Sequence, residues 1–517
     1  MSEWKSRMGG AAALVGAAAG LVAFGGATDA WAADWKAQPF VSVSGILSDN
    51  VDQLPRGEEN GDFVIEVRPG ISLRGTGGRV DLGLDYEAQG TFYTDNSDLS
   101  SFTNRLNFFS TTELVEERLF VDVGANYFQT ANSPGVNASL DSLLADGTYS
   151  NVGSARISPR WRERFGSFAE SDLTLLYALT RFENSTASDS DISSASWNIK
   201  SGDGATRLQW SLDLDREVTS YSGNTPSDSS NSAEANTSYA ISDDWAVLAR
   251  WGYTQDNISD LNNIIENGAY WSGGLRWSPS RKVSAAAWYG RKDQEYTLDL
   301  KPTERTTFHL GFSDRAVGED SGPRWNMDFS HRTAYSSWGA SYIDEVTNVQ
   351  QLTANTNGLI SFLDPATGQT MFFDPVTGRL LNRQETFTLR DGSFERKRFQ
   401  LNSSYEKGRS LVYGSIYQEQ RDFLSGDAAQ EKSLGFNLSW SWRFAPRTRS
   451  VVSTEWERTS SSDGATDGDL LVGTIGVTHQ LAADVDGLLE YKHSRSDVDS
   501  DLGYDENRLT MTINMRF

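Results

Sequence analysis

The chain holds four histidines, His309, His331, His479 and His493, and no cysteine. The histidines fall on separate segments, and no serine and acid join any of them to assemble a nucleophilic triad. The missing cysteines exclude thiolate metal sites, disulfides and attached c-type haem. The charged residues follow a different order: they recur at every second position, alternating with large apolar side chains. In "RLQWSLDLD", Asp213 and Asp215 oppose Leu212 and Leu214; in "TTFHLGFSDR", His309 and Arg315 oppose Phe308, Leu310 and Phe312. Arg156, Arg160, Arg276, Arg396 and Arg398 lie on the polar parity of their segments, as do Asp81, Asp85 and Glu87. A face of this kind can hydrogen-bond a polar solute along its length, and its guanidinium groups would attract an anionic polymer. The plain alternative is that Arg and Asp side chains pair across strands in a water-filled interior. No catalytic residue, cofactor or metal site is expected, and the chain reads as something other than an enzyme.

A second stretch has its own chemistry. Residues 348-393 contain "FLDPATGQTMFFDPVTGRLL", in which Asp364-Pro365-Ala366-Thr367-Gly368 recurs as Asp374-Pro375-Val376-Thr377-Gly378. Proline presets φ for a turn, aspartate hydrogen-bonds the backbone that follows, and glycine takes positive φ. Each copy reads as a tight hairpin turn, with Met371-Phe372-Phe373 as the strand between. The connection is either an extracellular hairpin standing above a rim or a loop folded inward as a constriction. Calcium held by Asp364 and Asp374 would have one acid per turn, far short of its usual ligand count.

The elements that position these side chains are period-two segments, the mark of strands with two unlike faces. Leu434, Phe436, Leu438, Trp440 and Trp442 share one face; Gly435, Asn437, Ser439, Ser441 and Arg443 share the other. Val80, Leu82, Leu84 and Tyr86 likewise oppose Asp81, Gly83, Asp85 and Glu87. The segments run about ten to fifteen residues, longer than soluble strands and suited to tilted membrane spans. Trp277, Trp338, Trp442, Phe444 and Phe517 sit near segment ends, as aromatics do at membrane–water boundaries. The chain finishes on "RLTMTINMRF", a last strand able to pair with the first; only closure leaves no unpaired edge in lipid. The expected fold is all-β, a transmembrane antiparallel up-and-down barrel of about 24 strands, between about 22 and 26. The spans begin near 38-49 and 62-74 and end near 485-495 and 505-517.

The connections support this register. Even-numbered ones are tight and mostly basic, such as "GTGG", "RERFG", "SPSRK" and "APRTR"; odd-numbered ones are longer and often acidic, such as "DNVDQLPRGEEN" and "DVDSDLGYDEN". Short periplasmic turns and long outer loops are the rule for outer-membrane barrels. The acidity of the outer loops fits simple solvation, or divalent-cation bridging to lipopolysaccharide.

The N-terminus gives the route. Lys5 and Arg7 precede an uncharged Ala/Gly/Val/Leu stretch that ends in Ala30-Trp31-Ala32, which reads as a cleaved signal peptide over 1-32. Residues 33-517 then form a single barrel in a Gram-negative outer membrane. Beyond residue 33 no run of eighteen apolar residues appears. Mean hydropathy is −0.49. The 46 basic against 70 acidic residues, a net charge of −24, argue against a nucleic-acid partner. The first strand starts close to the cleavage site, so no large N-terminal plug of an energy-coupled transporter is expected.

The first hairpins carry a resemblance. Ser48-Asp49-Asn50-Val51, Arg68-Pro69-Gly70-Ile71 and Asp85-Tyr86 make this stretch similar to the start of the PEP-CTERM-system-associated outer-membrane barrels. These belong to a broader group of porin-like barrels found with exopolysaccharide clusters. The resemblance implies a barrel tied to polysaccharide export or surface assembly, with no known catalytic residues. The leading expectation is therefore a channel for an extracellular polysaccharide, working with separate periplasmic export partners. The alternative is a passive porin for small solutes, and an outer-membrane enzyme is the remote third.

Overall fold

The computed structural model describes residues 34–131, 149–183, 187–223, 226–258, 265–319, 321–348, 360–363, 370–374, 379–381, 392–424, 430–462, 467–498 and 503–517. The signal-peptide reading of 1-32 lies outside them. The strands are β1 (Asp34–Ser48), β2 (Asp62–Thr76), β3 (Val80–Tyr93), β4 (Ser101–Val115), β5 (Leu119–Ala131), β6 (Tyr149–Phe165), β7 (Ala169–Glu183), β8 (Ser190–Ser201) and β9 (Leu208–Tyr221). Next come β10 (Asp228–Ala240), β11 (Trp245–Asn257), β12 (Gly268–Ser280), β13 (Val283–Arg291), β14 (Asp293–Thr303), β15 (Thr306–Arg315), β16 (Gly322–Arg332) and β17 (Ser336–Asn348). Three short strands follow, β18 (Ile360–Leu363), β19 (Thr370–Asp374) and β20 (Arg379–Leu381). The chain finishes with β21 (Ser393–Lys407), β22 (Ser410–Phe423), β23 (Gln430–Ala445), β24 (Thr448–Ser461), β25 (Gly468–Ala482), β26 (Val485–Val498) and β27 (Asp505–Arg516).

β1–β17 and β21–β27 form one 24-stranded antiparallel sheet in chain order. It closes where β1 pairs with β27, from Phe40 opposite Arg516 to Ser48 opposite Arg508. The Phe517 amide donates to the Pro39 carbonyl at 2.9 Å, so the pairing runs to the last residue. At the other end of this seam the Asn50 amide group donates to the Leu54 and Asp505 carbonyls at 2.9 and 3.0 Å. The neighbouring Asp49 accepts from the Asn507 backbone and side chain, each at 2.7 Å. The Ser48-Asp49-Asn50 motif thus fastens the first long connection to the closing strand.

Burial is inverted relative to a soluble domain. On β27, Leu509 and Met511 are exposed, while Glu506, Arg508 and Thr512 on the other parity are buried. On β23, Leu434, Leu438, Trp440 and Trp442 face outward, as do Trp277, Trp338 and Phe444 on their strands. The apolar faces form the outer surface and the polar faces enclose the lumen, the arrangement of a bilayer-spanning barrel. Leu82 is a variant on this rule. It holds the outward parity but is buried in a cluster with Leu106, Phe108 and Ala125.

Connection length alternates as expected, with one exception. β13 and β14 are joined on the long-connection side by Lys292 alone, in a left-handed conformation with φ of 61°. At nine residues β13 is the shortest barrel strand, so the wall dips there. The long 348-393 connection contains a separate antiparallel sheet. Leu363 pairs with Thr370 and Asp374 with Arg379, so β19 is the strand read between the two turns. Asp364, Gly368 and Gly378 themselves lie outside the described residues, and Asp374 ends β19.

The rim at the long-connection end is held by Asp62. Its carboxylate accepts from the Thr94 hydroxyl at 2.6 Å, from the Asn96 backbone at 2.9 Å and from the Asn96 side chain at 3.0 Å. These donors outweigh burial and hold Asp62 down at about 2. A depressed carboxylate stabilises the loop fully above its unfolded value of about 3.9, and the contribution is lost as pH falls through the folded value. Residues 94–100 should therefore stay protease-resistant at pH 4 and open below about pH 2. Asp62→Ala should open them already at neutral pH, read as a new cleavage site in limited proteolysis.

Candidate functional site: the lumen wall

Adjacent strands lie about 4.8 Å apart, so five steps along a sheet cover roughly 24 Å. Yet Arg315 on β15 reaches Glu234 on β10 at 3.1 Å. The wall must curl sharply over β10–β15 for these two inward side chains to meet. The short β13–β14 hairpin lies at the middle of the curl. Above it, the Glu319 amide donates to Asp256 on β11 at 2.7 Å, and the Gly318 amide donates to the Glu266 carbonyl at 3.0 Å. Eight strands apart, the Asn348 side chain of β17 donates to the Tyr221 hydroxyl of β9 at 3.5 Å. The section from β9 to β17 thus folds back on itself at the long-connection end.

The curl is packed with paired charge. Arg250 donates to Glu295 at 2.6 Å and to Asp293 at 3.3 Å, and lies 4.3 Å over the Trp288 ring. Arg315 also pairs with Asp293 at 3.3 Å and sits 4.1 Å over the Tyr270 ring. Tyr270 lies across the neighbouring strand and donates to Glu234 at 2.6 Å. It can do so because Gly252 stands between them in the register; a Cβ there would be 2.1 Å from the ring. Gly252→Ala should push Tyr270 off Glu234 and weaken the barrel by about 1–3 kcal/mol. Urea unfolding of the detergent-solubilised protein checks this, with Gly473→Ala, which meets open space, as the unaffected comparison.

A second cluster lies on β17, β21 and β22. Glu419 is buried and accepts from Arg396 at 3.0 Å, Arg398 at 2.8 Å and Arg421 at 2.6 Å. Arg396 also reaches Glu345 at 3.3 Å, and Arg398 stacks over Tyr417 at 4.7 Å. Tyr417 in turn lies against Gly435, repeating the Gly–Tyr–Arg layering of Gly252, Tyr270 and Arg315.

The remaining sequence-derived candidates all take the lumen parity but stand apart. Arg156 packs over Gly124. Arg160 is 4.0 Å from Asp122 and stacks over Phe120. The same inward row of β6 continues with Arg162, paired to Asp172 at 2.8 Å, and Arg164, paired to Glu170 at 3.3 Å. Asp213 accepts from Asn198 at 2.5 Å and Ser211 at 3.2 Å, while Asp215 is exposed opposite Ser196 and Ser232. Arg276 donates to Ser238 at 3.0 Å. The basic row on β6 is therefore met by acids on its two neighbours, Asp122 of β5 and Asp172 and Glu170 of β7. The sequence reading had Arg315, Arg396 and Arg398 but missed Glu234, Asp293 and Glu419, the carboxylates they converge on, and Arg250, which shares two of them. Parity alone would have placed Glu234 and Arg250 inward.

This wall can hydrogen-bond and stack with polar solutes along its length, and its most buried arginines are committed to carboxylates and rings. No family model matches the chain and no curated protein is similar to it. Among solved structures it is similar to the FrpB iron transporter from Neisseria meningitidis (F3-3 variant), with 10% identity, a TM-score of 0.47, and 93% of this chain and 81% of that one covered. The siderophore receptor PirA from Pseudomonas aeruginosa gives 10% identity and a TM-score of 0.40, covering 93% and 80%. OccK1 (OpdK) of Pseudomonas aeruginosa gives 10% identity and a TM-score of 0.31, covering 93% and 99%.

Proposed function

We propose that this barrel is an outer-membrane channel, not an enzyme, and that its cargo is an extracellular polysaccharide on its way to the cell surface. The observation that carries the channel reading is the closed sheet with an apolar outer belt and a mainly polar inner wall. The choice of cargo rests on the resemblance of the first hairpins. It also rests on the chemistry of the wall: aromatic rings paired with arginines suit sugar rings and their hydroxyl or acidic substituents. Periplasmic partners would deliver the polymer.

The test has two arms. A deletion strain should lose surface polymer and regain it with the intact gene, and purified protein in a planar bilayer should give stepwise conductance. Normal polymer in the deletion strain, with liposome swelling in small sugars, would make it a passive porin. No conductance even after removal of residues 350–390 would end both channel readings.

A further inference from the structure

The short-connection end of the barrel sets like charges side by side. The Lys301 amide donates to the Lys282 carbonyl at 2.7 Å, the Arg332 amide to the Arg305 carbonyl at 2.9 Å and the Arg443 amide to the Arg409 carbonyl at 2.8 Å. All six residues are exposed, and none has a carboxylate partner among the described residues. Glu304 and Glu406, the acids of the same connections, are exposed and form no ion pair among them either. Like charges facing each other across strands are destabilising. β13 to β16 are consecutive in the sheet, so the first two pairs make one row of four cations, about 14 Å long at 4.8 Å per strand.

The same rim from β26 through β1 to β7 is built differently. There the Arg162 amide donates to the Arg118 carbonyl at 2.7 Å, the same juxtaposition, but Arg118 pairs with Glu163 at 3.2 Å and Arg162 with Asp172 at 2.8 Å. Arg79 pairs with Glu116 at 3.6 Å, Lys36 with Asp34 at 3.8 Å and Arg516 with Asp486. The uncompensated arc is thus a local concentration of positive charge in a chain of net charge −24. Strand parity gives its direction. Lys301 shares the lumen parity of Asp299, Arg332 that of Asp328 and Arg443 that of Ser441, so all three border the mouth of the lumen. A cation on the lipid side of this rim is placed otherwise: Lys407 has the outward parity of Tyr405 and lies 5.3 Å from the Tyr335 ring.

We propose that this arc is a landing site for an acidic polysaccharide at the periplasmic mouth, where repeating carboxylate or phosphate groups lie between the paired cations and neutralise them. The length of the row suits a chain with several anionic groups better than one small anion. The inference deepens the reading of the cargo as a polysaccharide and rests on it. Lack of conductance would end the channel reading, whereas binding of a polymer to the full chain in neutral-detergent micelles answers for the arc alone. The probe is fluorescent polygalacturonate, followed by anisotropy, with neutral dextran for comparison. The wild type should bind polygalacturonate and not dextran, and the binding should weaken as salt is raised. Lys301→Ala with Arg332→Ala and Arg443→Ala should weaken it about tenfold or more. Lys36→Ala with Arg79→Ala and Arg118→Ala removes the same charge from the paired part of the rim and should stay within about twofold. Equal loss in the two triple variants, or wild-type binding in the first, overturns the proposal. Unchanged polymer binding in the first with weaker binding to phosphatidylglycerol vesicles would assign the arc to lipid headgroups and overturn it too.

Discussion

Replacing Glu419 by glutamine should destabilise the barrel by about 3–5 kcal/mol, the cost of removing one partner from a buried ion cluster. Three guanidinium groups converge on this carboxylate, all within 3.0 Å of it. Its side chain is only 4% exposed, so water cannot take over its role. Glutamine keeps the shape and loses the charge, and the arginines then repel one another in a poorly solvated pocket. Urea midpoints in micelles read the loss. The double variant Glu419→Gln with Arg421→Gln should recover part of it, because one of the crowded cations is gone. An unchanged midpoint for the single variant would mean that this stretch of wall is far wetter than its burial indicates.

The second large effect is a contrast between neighbours. Leu438→Arg should cost about 2–4 kcal/mol in a bilayer, whereas Ser439→Arg should stay within about 0.5 kcal/mol. The two positions are adjacent in sequence and opposite in face, with Leu438 48% exposed on the outer surface. A charge on the outer face must sit in hydrocarbon or bend away from it; a charge on the inner face meets water and other polar groups. Reversible unfolding from lipid vesicles measures both. Equal penalties would remove the distinction between the two faces.

The barrel was legible in the sequence because period-two alternation is a local signal that repeats in every strand. Each of the 24 segments read from that pattern corresponds to a barrel strand, and the closing pair follows from Phe517 and its alternating predecessors. The parity of Arg156, Arg315, Arg396 and Arg398 was equally local. What the pattern could not carry is curvature. The meeting of Arg315 with Glu234, five strands away, and of Asn348 with Tyr221, eight strands away, depends on how tightly the sheet bends. The only local trace of that bend is the one-residue Lys292 connection and the shortness of β13. The early end of the β16–β17 ladder, at Met327 opposite Tyr342, is also invisible to periodicity, since both strands keep their alternation beyond it. Arg324 has the inward parity of its strand; only the register shows that its partners Asp344 and Glu395 have the outward one.

The central claim is that one face of every strand meets lipid and the other encloses water. Single cysteines from position 434 to 442, reacted in intact cells or proteoliposomes with a membrane-impermeant maleimide, test it most directly. Labelling should alternate, strong at 437, 439 and 441 and absent at 434, 436, 438, 440 and 442; position 435 is left out because the Tyr417 ring covers it. Uniform labelling, or the opposite alternation, would contradict the account.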